Sequence, residues 1–282
     1  MKNILTIGRG FVAQHLPYKI IEQKFTINQN EISDFLDHYE PNVIVNTIGH
    51  CGNPNIDSCQ IEKVKTFETN VALPLLFATE CHRRNIQFIH IGSGCIFCGE
   101  SPSSNGWRET DVPNPASLYA RSKYSCDLAI QDLENVCIFR IRMPISKLDH
   151  PRNYLNKIFK YTSILDCPNS VTFLDDLTRA VQWAVDNDKR GVYHLTSPLT
   201  VSAAEIVQLY RYFPNTPKFR YQIIGEDELS RLVTAPRSNC MIDNSKIINE
   251  GFPIENSSIQ LPKYLLEYVT NKAHLTNSPH DL

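Results

Sequence analysis

The segment IGSGCIFCG, residues 91–99, carries side chains that could do chemistry. It follows an apolar run typical of a buried strand, and it holds one hydroxyl, Ser93, and two thiols, Cys95 and Cys98. A Cys-x-x-C pair can bind zinc, form a redox disulfide or be two ordinary buried thiols. A single thiol can also exchange protons near neutral pH, because the unperturbed pKa of a thiol is about 8.5. The spacing alone leaves these four alternatives open.

The zinc and redox alternatives find little support elsewhere in the chain. Structural zinc needs four ligands, and Cys51 and Cys59, with His50, do not form a second pair of the required spacing. A reactive redox pair is favoured by a helix that begins directly after the first cysteine, and the sequence around Cys95 does not predict one. We therefore expect no metal site and treat Cys98 as a small buried thiol.

A second candidate is the segment YARSK, residues 119–123, on a predicted helix. Tyr119 and Lys123 are four residues apart, so their side chains share one face of that helix. A free phenol, with a pKa of about 10, is a poor acid at neutral pH. A nearby ammonium would lower the pKa of Tyr119 and let it donate a proton to a carbonyl oxygen. The same spacing is common on helix surfaces, so the surrounding sequence has to support this interpretation.

The segment GRGFVA, residues 8–13, follows the first predicted strand and is predicted to open a helix. Two glycines permit a tight turn there, and a helix N-terminus can hold a pyrophosphate. The match is G-x-G-x-x-A without a third glycine, and its place at the start of an α/β pattern favours a dinucleotide site over a plain turn. The predicted cofactor contacts in this segment are Gly8, Arg9, Gly10, Phe11 and Val12.

The type of dinucleotide depends on the side chains directly after the second predicted strand, residues 24–27. A carboxylate at that position would bind the 2′-hydroxyl of NAD and repel the 2′-phosphate of NADP. Residues 28–30 are Asn, Gln and Asn, so the sequence favours NADPH, with NADH as the alternative. Arg9 in the glycine turn adds slightly to this preference, since a guanidinium suits a phosphate. The alternative for Arg9 is a solvated surface side chain.

These groups need a scaffold that brings strand ends together. Apolar runs predict strands at 4–7, 24–27, 43–46, 87–91, 136–141 and 192–195. Helical spacing predicts helices at 31–39, 62–84 with a kink at Pro74, 118–133 and 179–185. This alternation predicts an α/β fold, a doubly wound parallel sheet of Rossmann type. We assign residues 1–145 with 171–197 to a dinucleotide-binding domain, and 146–170 with 198–282 to a smaller substrate-binding cap.

The composition, 42% hydrophobic and 21% charged, is that of an ordinary globular protein rather than a disordered one. A net charge of −2 and the lack of a dense basic stripe argue against nucleic acid as the main partner. No apolar run approaches the roughly 20 residues needed to span a bilayer, and the N-terminal apolar run is too short for a secretory leader. With an odd count of nine scattered cysteines, we expect reduced thiols and a cytoplasmic location.

Ser93, Tyr119 and Lys123 together resemble the Ser/Thr, Tyr and Lys of the short-chain dehydrogenase/reductase superfamily. Within it, the chain departs from two groups of nucleotide-sugar enzymes. The 4,6-dehydratases have Thr-Asp-Glu after the strand, and the dTDP-4-dehydrorhamnose reductases have Thr-Asp-Tyr. This chain reads Ser-Gly-Cys at 93–95 and lacks the carboxylates that dehydration requires.

A closer similarity is to the bifunctional UDP-4-keto-6-deoxyglucose 3,5-epimerase/4-reductases, which are related to the dTDP-4-dehydrorhamnose reductases and make UDP-rhamnose. It is carried by strings that folding alone does not require: GCIF at 94–97, YARSK at 119–123, ENVCIFRIRMPIS at 134–146, PRNYLNKI at 151–158, PNSVTFLDDL at 168–177 and APRSN at 235–239. The chain departs from this family in its glycine turn, where the family has G-x-x-G-x-x-G, and in a shortened loop at 99–110.

The resemblance implies roles for particular residues. Cys95 would exchange protons at the carbons flanking a ketone, together with a lysine that falls on Lys157, or on Lys160 if the alignment slips by one turn. Tyr119, oriented with Ser93 and Lys123, would then protonate the C4 oxygen as hydride arrives from the nicotinamide. Further cofactor contacts are expected at Thr47, Ile48, Gly49, Tyr119, Lys123 and Met143. Substrate contacts are expected at Asn53, Arg152, Asn153, Arg237 and Asn239, with the Arg237 guanidinium suited to the UDP phosphates.

We therefore expect an enzyme that converts UDP-4-keto-6-deoxyglucose to UDP-L-rhamnose with NADPH. Its partner would be a UDP-linked 4-keto-6-deoxy sugar, and a homodimer is compatible with the sequence. One alternative is an epimerase/4-reductase that acts on an N-acetylated UDP- or dTDP-4-keto-6-deoxy sugar. The other is a non-catalytic, cofactor-binding regulatory subunit.

Overall fold

A computed structural model describes residues 2–214, 216 and 219–276, in which a parallel sheet carries helices on both faces. The strands, in chain order, are β1 (Ile4–Ile7), β2 (Lys19–Ile21), β3 (Val43–Asn46), β4 (Gln87–Ser93), β5 (Val136–Ile141), β6 (Pro144–Ile145), β7 (Ser163–Leu165), β8 (Thr172–Phe173), β9 (Gly191–His194) and β10 (Gln222–Ile224). The helices are α1 (Gln29–Tyr39), α2 (Asp57–Ile61), α3 (Lys63–Phe67), α4 (Leu73–Arg83), α5 (Leu118–Ile130), α6 (Tyr154–Ile158), α7 (Leu174–Asp186), α8 (Ala203–Tyr210), α9 (Glu226–Leu232), α10 (Ser245–Asn249) and α11 (Ser257–Thr276).

Six strands form the central parallel sheet in the order β2-β1-β3-β4-β5-β9. Two apolar clusters cover its faces, one built with α1, α4 and α5 and the other with α7. This confirms the doubly wound, Rossmann-type architecture predicted from the alternating pattern. Within the part of the chain described, no helix is long and apolar enough to cross a bilayer.

Three central strands begin and end at the predicted residues: β1, β3 and β5. Each is a short, mainly apolar run, and every residue of β3 and β5 is buried. β4 continues two residues past its predicted end and finishes at Ser93. The register pairs Ser93 with Ile141, so the carboxyl ends of β4 and β5 lie side by side.

The segment between β1 and β2 differs from the prediction. No α-helix follows the glycine turn; the chain makes a single 3-10 turn at Ala13–His15 and enters β2 soon after. Only eleven residues separate the two strands, fewer than the dozen or so that a helical crossover needs, and Pro17 could not continue a helix.

The strand predicted at 24–27 is also wrong. Phe25 packs on the aromatic residues of α1 and α4, and Ile27 is 52% exposed.

The helix predicted at 62–84 consists of three pieces: α3, a π-helical turn at Glu68–Ala72, and α4. The interruption lies ahead of Pro74, which sits in the first turn of α4, where its missing N–H costs nothing. Within the π turn, Asn70 donates to the carbonyl oxygen of His50 and to the hydroxyl of Ser122. The irregular turn thereby ties the loop after β3 to α5.

A third apolar cluster lies beside the short β6–β8 pair and includes residues of α6, α8 and α11. The helix α10 is separate from this cluster. Its Ile247 packs into the cluster that covers one face of the central sheet. The C-terminal part of the chain therefore contacts both apolar regions.

Candidate active site

Ser93 and Cys95 lie at the carboxyl end of β4, in the middle of the sheet. Ser93 ends the strand, and its Oγ accepts a hydrogen bond from the backbone N–H of Cys95 at 3.2 Å, which caps a 3-10 turn at Gly94–Ile96. A Cβ on Gly94 would collide with Cδ1 of Ile242, so a larger residue would have to displace that side chain. The Cys95 side chain is half-buried.

Tyr119 lies in the first turn of α5, whose N-terminus is capped by Ser117. Its phenol lies close enough to Ser93 and Cys95 for both to influence its pKa. Burial raises the pKa of Tyr119 above its usual value, so the expected lowering by Lys123 is wrong for this structure. Desolvation dominates, and the Lys123 amine is held elsewhere.

The Lys123 amine, 4% exposed, contacts β4 from beneath the site. Its Nζ donates to the carbonyl oxygen of Ile91 at 3.0 Å and lies 3.0 Å from Nε2 of His90. The other ring nitrogen of His90 lies 3.0 Å from Nδ2 of Asn46. Burial, together with the Lys123 charge, holds the pKa of His90 well below its usual value, so this imidazole is neutral. The sequence analysis did not single out His90; its polar side chain within the apolar run of β4 was the available signal.

Arg142 directly follows β5, and it meets Cys95 because the ends of β4 and β5 are neighbours. Its Nη1 lies 3.5 Å from Cys95 Sγ and 3.1 Å from the Ser238 hydroxyl. Its Nη2 donates to Oδ1 of Asn169 and to the carbonyl oxygen of Ser238, and the whole residue is 1% exposed. Arg142 was not predicted from the sequence as a site residue. The available signal was a second arginine, two residues after Arg140, at the end of an apolar run.

Lys157 projects from the short helix α6 and is half-buried. Burial lowers the pKa of its amine, and its electrostatic partners include Cys51 and Cys95, which raise it. Lys160, the alternative from the sequence, is exposed. The structure therefore brings Lys157 into the neighbourhood of Cys95.

The glycine turn lies beside the carboxyl end of β3. Gly8 has φ of +109°, and a Cβ on it would lie 2.6 Å from Oγ1 of Thr47, so only glycine fits. A Cβ on Gly10 would meet nothing within 4 Å, so space beside the turn is open. Met143, just after β5, has φ of 41°, a left-handed conformation that is uncommon for a non-glycine residue. These features fit a dinucleotide bound along the carboxyl edge of the sheet.

The other predicted cofactor contacts lie on the same two segments. Ile48 and Gly49 continue the chain after Thr47, and the Ile48 N–H donates to Oδ1 of Asn46 at 2.9 Å. The Phe11 ring is buried against the sheet, which makes it a packing residue. Its neighbours Arg9 and Val12 are exposed and half-buried, respectively.

Glu22 was also not predicted from the sequence as a site residue, like His90 and Arg142. Because β2 ends at Ile21, the first residue after it is the exposed Glu22. The premise that no carboxylate follows the second strand is therefore wrong, and residues 28–30 instead begin α1. A carboxylate at the end of this strand favours a free 2′-hydroxyl and opposes a 2′-phosphate.

Two of the predicted substrate residues are engaged with carboxylates. Arg237 forms a bidentate pair with Asp57, with Nη1–Oδ1 at 2.8 Å and Nη2–Oδ2 at 3.0 Å. This pair joins the first residue of α2 to the 235–240 segment. Asn239 is 7% exposed and donates to Oε1 of Glu226 at 2.7 Å. A phosphate could engage Arg237 only in competition with Asp57.

The remaining predicted substrate residues have different surroundings. Asn153 is fully buried and its Oδ1 caps α6, so it positions the helix of Lys157 and cannot meet a ligand. Arg152 lines a surface cleft together with Asn53 and Cys51. Its Nη2 donates to a backbone carbonyl in the loop after β3 at 2.8 Å.

Cys95 and Cys98 do not act as a pair in this structure. All nine cysteines are free thiols. Cys95 contacts Arg142, whereas the Cys98 thiol donates to the carbonyl oxygen of Arg237 at 3.8 Å. Among the described residues, no group of three or more His, Cys, Asp or Glu side chains is arranged to hold a metal ion. The two sulfurs therefore have separate environments and separate partners.

This arrangement suits acid–base chemistry around a carbonyl group. The hydroxyls of Ser93 and Tyr119 can hydrogen-bond a carbonyl oxygen, and the phenol can give it a proton. Cys95 and Lys157 can take and give protons at carbons beside that carbonyl.

Comparison with known proteins agrees with this chemistry. The family model described as the RmlD substrate binding domain matches residues 16–268. A bifunctional dTDP-4-dehydrorhamnose 3,5-epimerase/dTDP-4-dehydrorhamnose reductase of Arabidopsis thaliana is 33% identical over 267 residues, which cover 93% of this chain and 88% of that protein. A trifunctional UDP-glucose 4,6-dehydratase/UDP-4-keto-6-deoxy-D-glucose 3,5-epimerase/UDP-4-keto-L-rhamnose-reductase of the same plant is 32% identical, and the match spans 40% of its length.

Solved structures share the fold. The L780 UDP-rhamnose synthase of Acanthamoeba polyphaga mimivirus superposes with a TM-score of 0.85 at 23% identity, covering 94% of this chain and 99% of that one. The dTDP-4-dehydrorhamnose reductase of Bacillus anthracis, in complex with NADP, gives a TM-score of 0.78 at 16% identity, covering 96% and 100%.

Proposed function

Because the chain belongs to the RmlD substrate binding domain family of extended short-chain dehydrogenases/reductases, we propose that it is a nucleotide-sugar 3,5-epimerase/4-keto-reductase. Its substrate is UDP-4-keto-6-deoxyglucose and its product UDP-L-rhamnose. The observation that carries this proposal is that both Tyr119 and Lys157 lie within electrostatic range of Cys95. Groups for proton exchange beside a ketone and a donor for the ketone oxygen thus share one site.

Epimerisation precedes reduction in this proposal, because only the ketone makes the protons at C3 and C5 acidic. Cys95 and Lys157 exchange those protons on opposite faces of the sugar ring. Hydrogen bonds from Ser93 and Tyr119 stabilise the negative charge that develops on the C4 oxygen.

Reduction then uses the same two hydroxyls. The turn at Gly8 and the segments that contain Thr47 and Met143 would hold a nicotinamide cofactor, which when bound would supply hydride for C4. Tyr119 gives its proton to the C4 oxygen, with Ser93 orienting the phenol. Lys123 lies on the same helix, and its amine donates to the carbonyl oxygen of Ile91 in β4.

The proposal is tested by incubating the purified protein with NADPH and UDP-4-keto-6-deoxyglucose. We expect loss of absorbance at about 340 nm and a product with the L-rhamno configuration by NMR. Parallel reactions with the dTDP-linked and N-acetylated 4-keto sugars define the preferred substrate. Cofactor binding without oxidation by any of these sugars would instead identify a non-catalytic subunit.

We assign NADPH as the cofactor, with NADH as the alternative, and expect Glu22 to influence the choice. Glu22→Gln is expected to raise the affinity for NADPH about five-fold, because two like charges about 4 Å apart in water repel by about 1 kcal/mol. The affinity for NADH should change little. Fluorescence titration of both cofactors measures the ratio.

Glu40→Gln is the matched control, since Glu40 is exposed at the end of α1 that lies away from the glycine turn. It should leave both affinities unchanged. An unchanged NADPH-to-NADH ratio in Glu22→Gln would show that this carboxylate does not face the ribose.

We also propose the division into a dinucleotide-binding domain, 1–145 with 171–197, and a substrate-binding cap, 146–170 with 198–282. The separate apolar cluster beside the β6–β8 pair supports the cap. The free thiols support a cytoplasmic location.

A further inference from the structure

Arg142 is a buried cation whose hydrogen-bond partners are uncharged groups. A guanidinium stays protonated in proteins, and buried charges are normally paired. The neighbouring buried Arg140 follows this rule, with its Nε 2.8 Å from a carboxylate oxygen of Asp127. Arg142 instead donates to Ser238 and Asn169, and its Nε has no partner among the described residues. Its charge therefore lacks a compensating carboxylate.

The ionisable group that Arg142 hydrogen-bonds is the Cys95 thiol, with Nη1 3.5 Å from Sγ. Arginine next to a thiol favours the thiolate, because the contact then becomes an ion pair. Cys240 is also near Arg142, but its thiol donates to the carbonyl oxygen of Gly94 at 3.9 Å, and burial raises its pKa to about 11. Cys240 therefore stays protonated, and Cys95 is the group that can supply the missing negative charge.

Other titratable groups interact with Cys95 from the surrounding elements. They are Tyr119 from α5, Lys157 from α6 and Cys240 from the segment before α10. Burial raises the pKa values of Tyr119 and Cys240, so neither opposes a thiolate with a negative charge at neutral pH. Burial lowers the pKa of Lys157, so its ammonium is a readier proton donor than an ordinary lysine. Arg142 is thus the permanent positive charge at Cys95.

We propose that Arg142 is a positioning residue that holds Cys95 as a thiolate, which makes Cys95 the base and Lys157 the acid of epimerisation. This assignment rests on the proposed function. The thiolate takes a proton from the carbon beside the ketone: an S–H bond forms, the C–H bond breaks, and its electron pair becomes an enolate. The Lys157 ammonium then gives a proton to the opposite face, which forms the new C–H bond and leaves a neutral amine. Water carries a proton from the Cys95 thiol to that amine and restores both groups.

The thiolate can be measured without any sugar nucleotide. The rate at which iodoacetamide alkylates Cys95, followed by peptide mass spectrometry between about pH 5.5 and 9.5, reports the ionised fraction. We expect Arg142→Gln to slow alkylation at about pH 6.5 by about tenfold or more, since a neighbouring cation shifts ionisation by about one to three pH units. At about pH 9.5, where the thiol ionises in either protein, the rates should converge. Arg142→Lys keeps the charge and should recover most of the rate.

Ser238→Ala is the matched control, because it removes a hydrogen bond of Arg142 but not its charge. The alkylation profile of Ser238→Ala should match that of the parent, and only Arg142→Gln should differ. If Arg142 had a purely structural role, Arg142→Gln would also show the parent profile. If Arg142→Gln does not fold, the alkylation profile of Cys95 in the parent protein tests the proposal. The parent's Cys95 must keep at least about a tenth of its plateau rate at about pH 6.5, where an ordinary thiol retains about 1%.

An ordinary profile in the folded parent, or equal profiles in the parent and Arg142→Gln, would overturn the assignment. Neither result depends on turnover. A protein with the expected alkylation profile that does not act on a 4-keto sugar would count against the proposed function alone.

Discussion

Replacing Tyr119 by phenylalanine is expected to slow NADPH oxidation by a 4-keto sugar at least about a hundredfold, because a positioned proton donor typically contributes about 10²–10⁴-fold. The change removes only the hydroxyl, and the ring can still pack. Circular dichroism should therefore be unchanged, and fluorescence titration should give a similar affinity for the cofactor.

Tyr124→Phe is the control for this experiment, because Tyr124 lies on the same helix and packs against the apolar cluster of Phe97 and Trp107. Its rate should stay within about two-fold of the parent, as is usual where only a peripheral hydroxyl is lost. A Tyr119→Phe protein that retains a rate within a few-fold of the parent would mean that another group protonates the C4 oxygen.

Cys95→Ser is expected to separate epimerisation from reduction. Serine is nearly isosteric, but its hydroxyl is a far weaker acid than a thiol and cannot cycle near neutral pH. We expect the incorporation of solvent deuterium at C3 and C5 to fall at least about a hundredfold. Ser93, Tyr119 and Lys123 are untouched, so the variant should still reduce the unepimerised ketone slowly to a different 6-deoxy sugar.

Cys98→Ser tests whether the two cysteines act together. The Cys98 thiol donates only to a backbone carbonyl, and serine can do the same, so both activities should equal those of the parent. Similar damage from the two substitutions would support a shared disulfide or metal. Full deuterium exchange in Cys95→Ser would show that Cys95 does not transfer the protons at C3 and C5.

The sheet was predictable where burial dictates the residue types. β3 and β5 are short apolar runs covered on both faces, and their bounds were predicted correctly. The edge strand β2 was not predicted, because it has only three residues and begins with an exposed lysine, so it does not form an apolar run. Phe25 gave a false signal, since its apolar side chain is explained by packing on α1 and α4.

In the candidate site, the residues found from the sequence are those that belong to recognisable strings. Ser93 and Cys95 lie close together in sequence at one turn, and Tyr119 and Lys123 lie on one helix. Arg142 lies 47 residues from Cys95 in the chain, and their contact depends on the register of β4 against β5. Glu22 was missed because its position depends on where β2 ends. Both omissions reflect strand pairing, which local patterns do not specify.

The short connection between β1 and β2 also affects the chain entropy of the folded sheet. Leu5 pairs with Lys19, fourteen residues later, whereas Cys137 pairs with Gly191, fifty-four residues later. Because loop-closure entropy grows with the logarithm of loop length, the shorter closure is favoured by about 1 kcal/mol. This advantage helps to retain a three-residue edge strand that pairs on one side only. Joining β1 to β2 without a helix thus keeps the end of β2 beside the glycine turn, where the Gly8 N–H donates to the carbonyl oxygen of Ile21 at 3.3 Å.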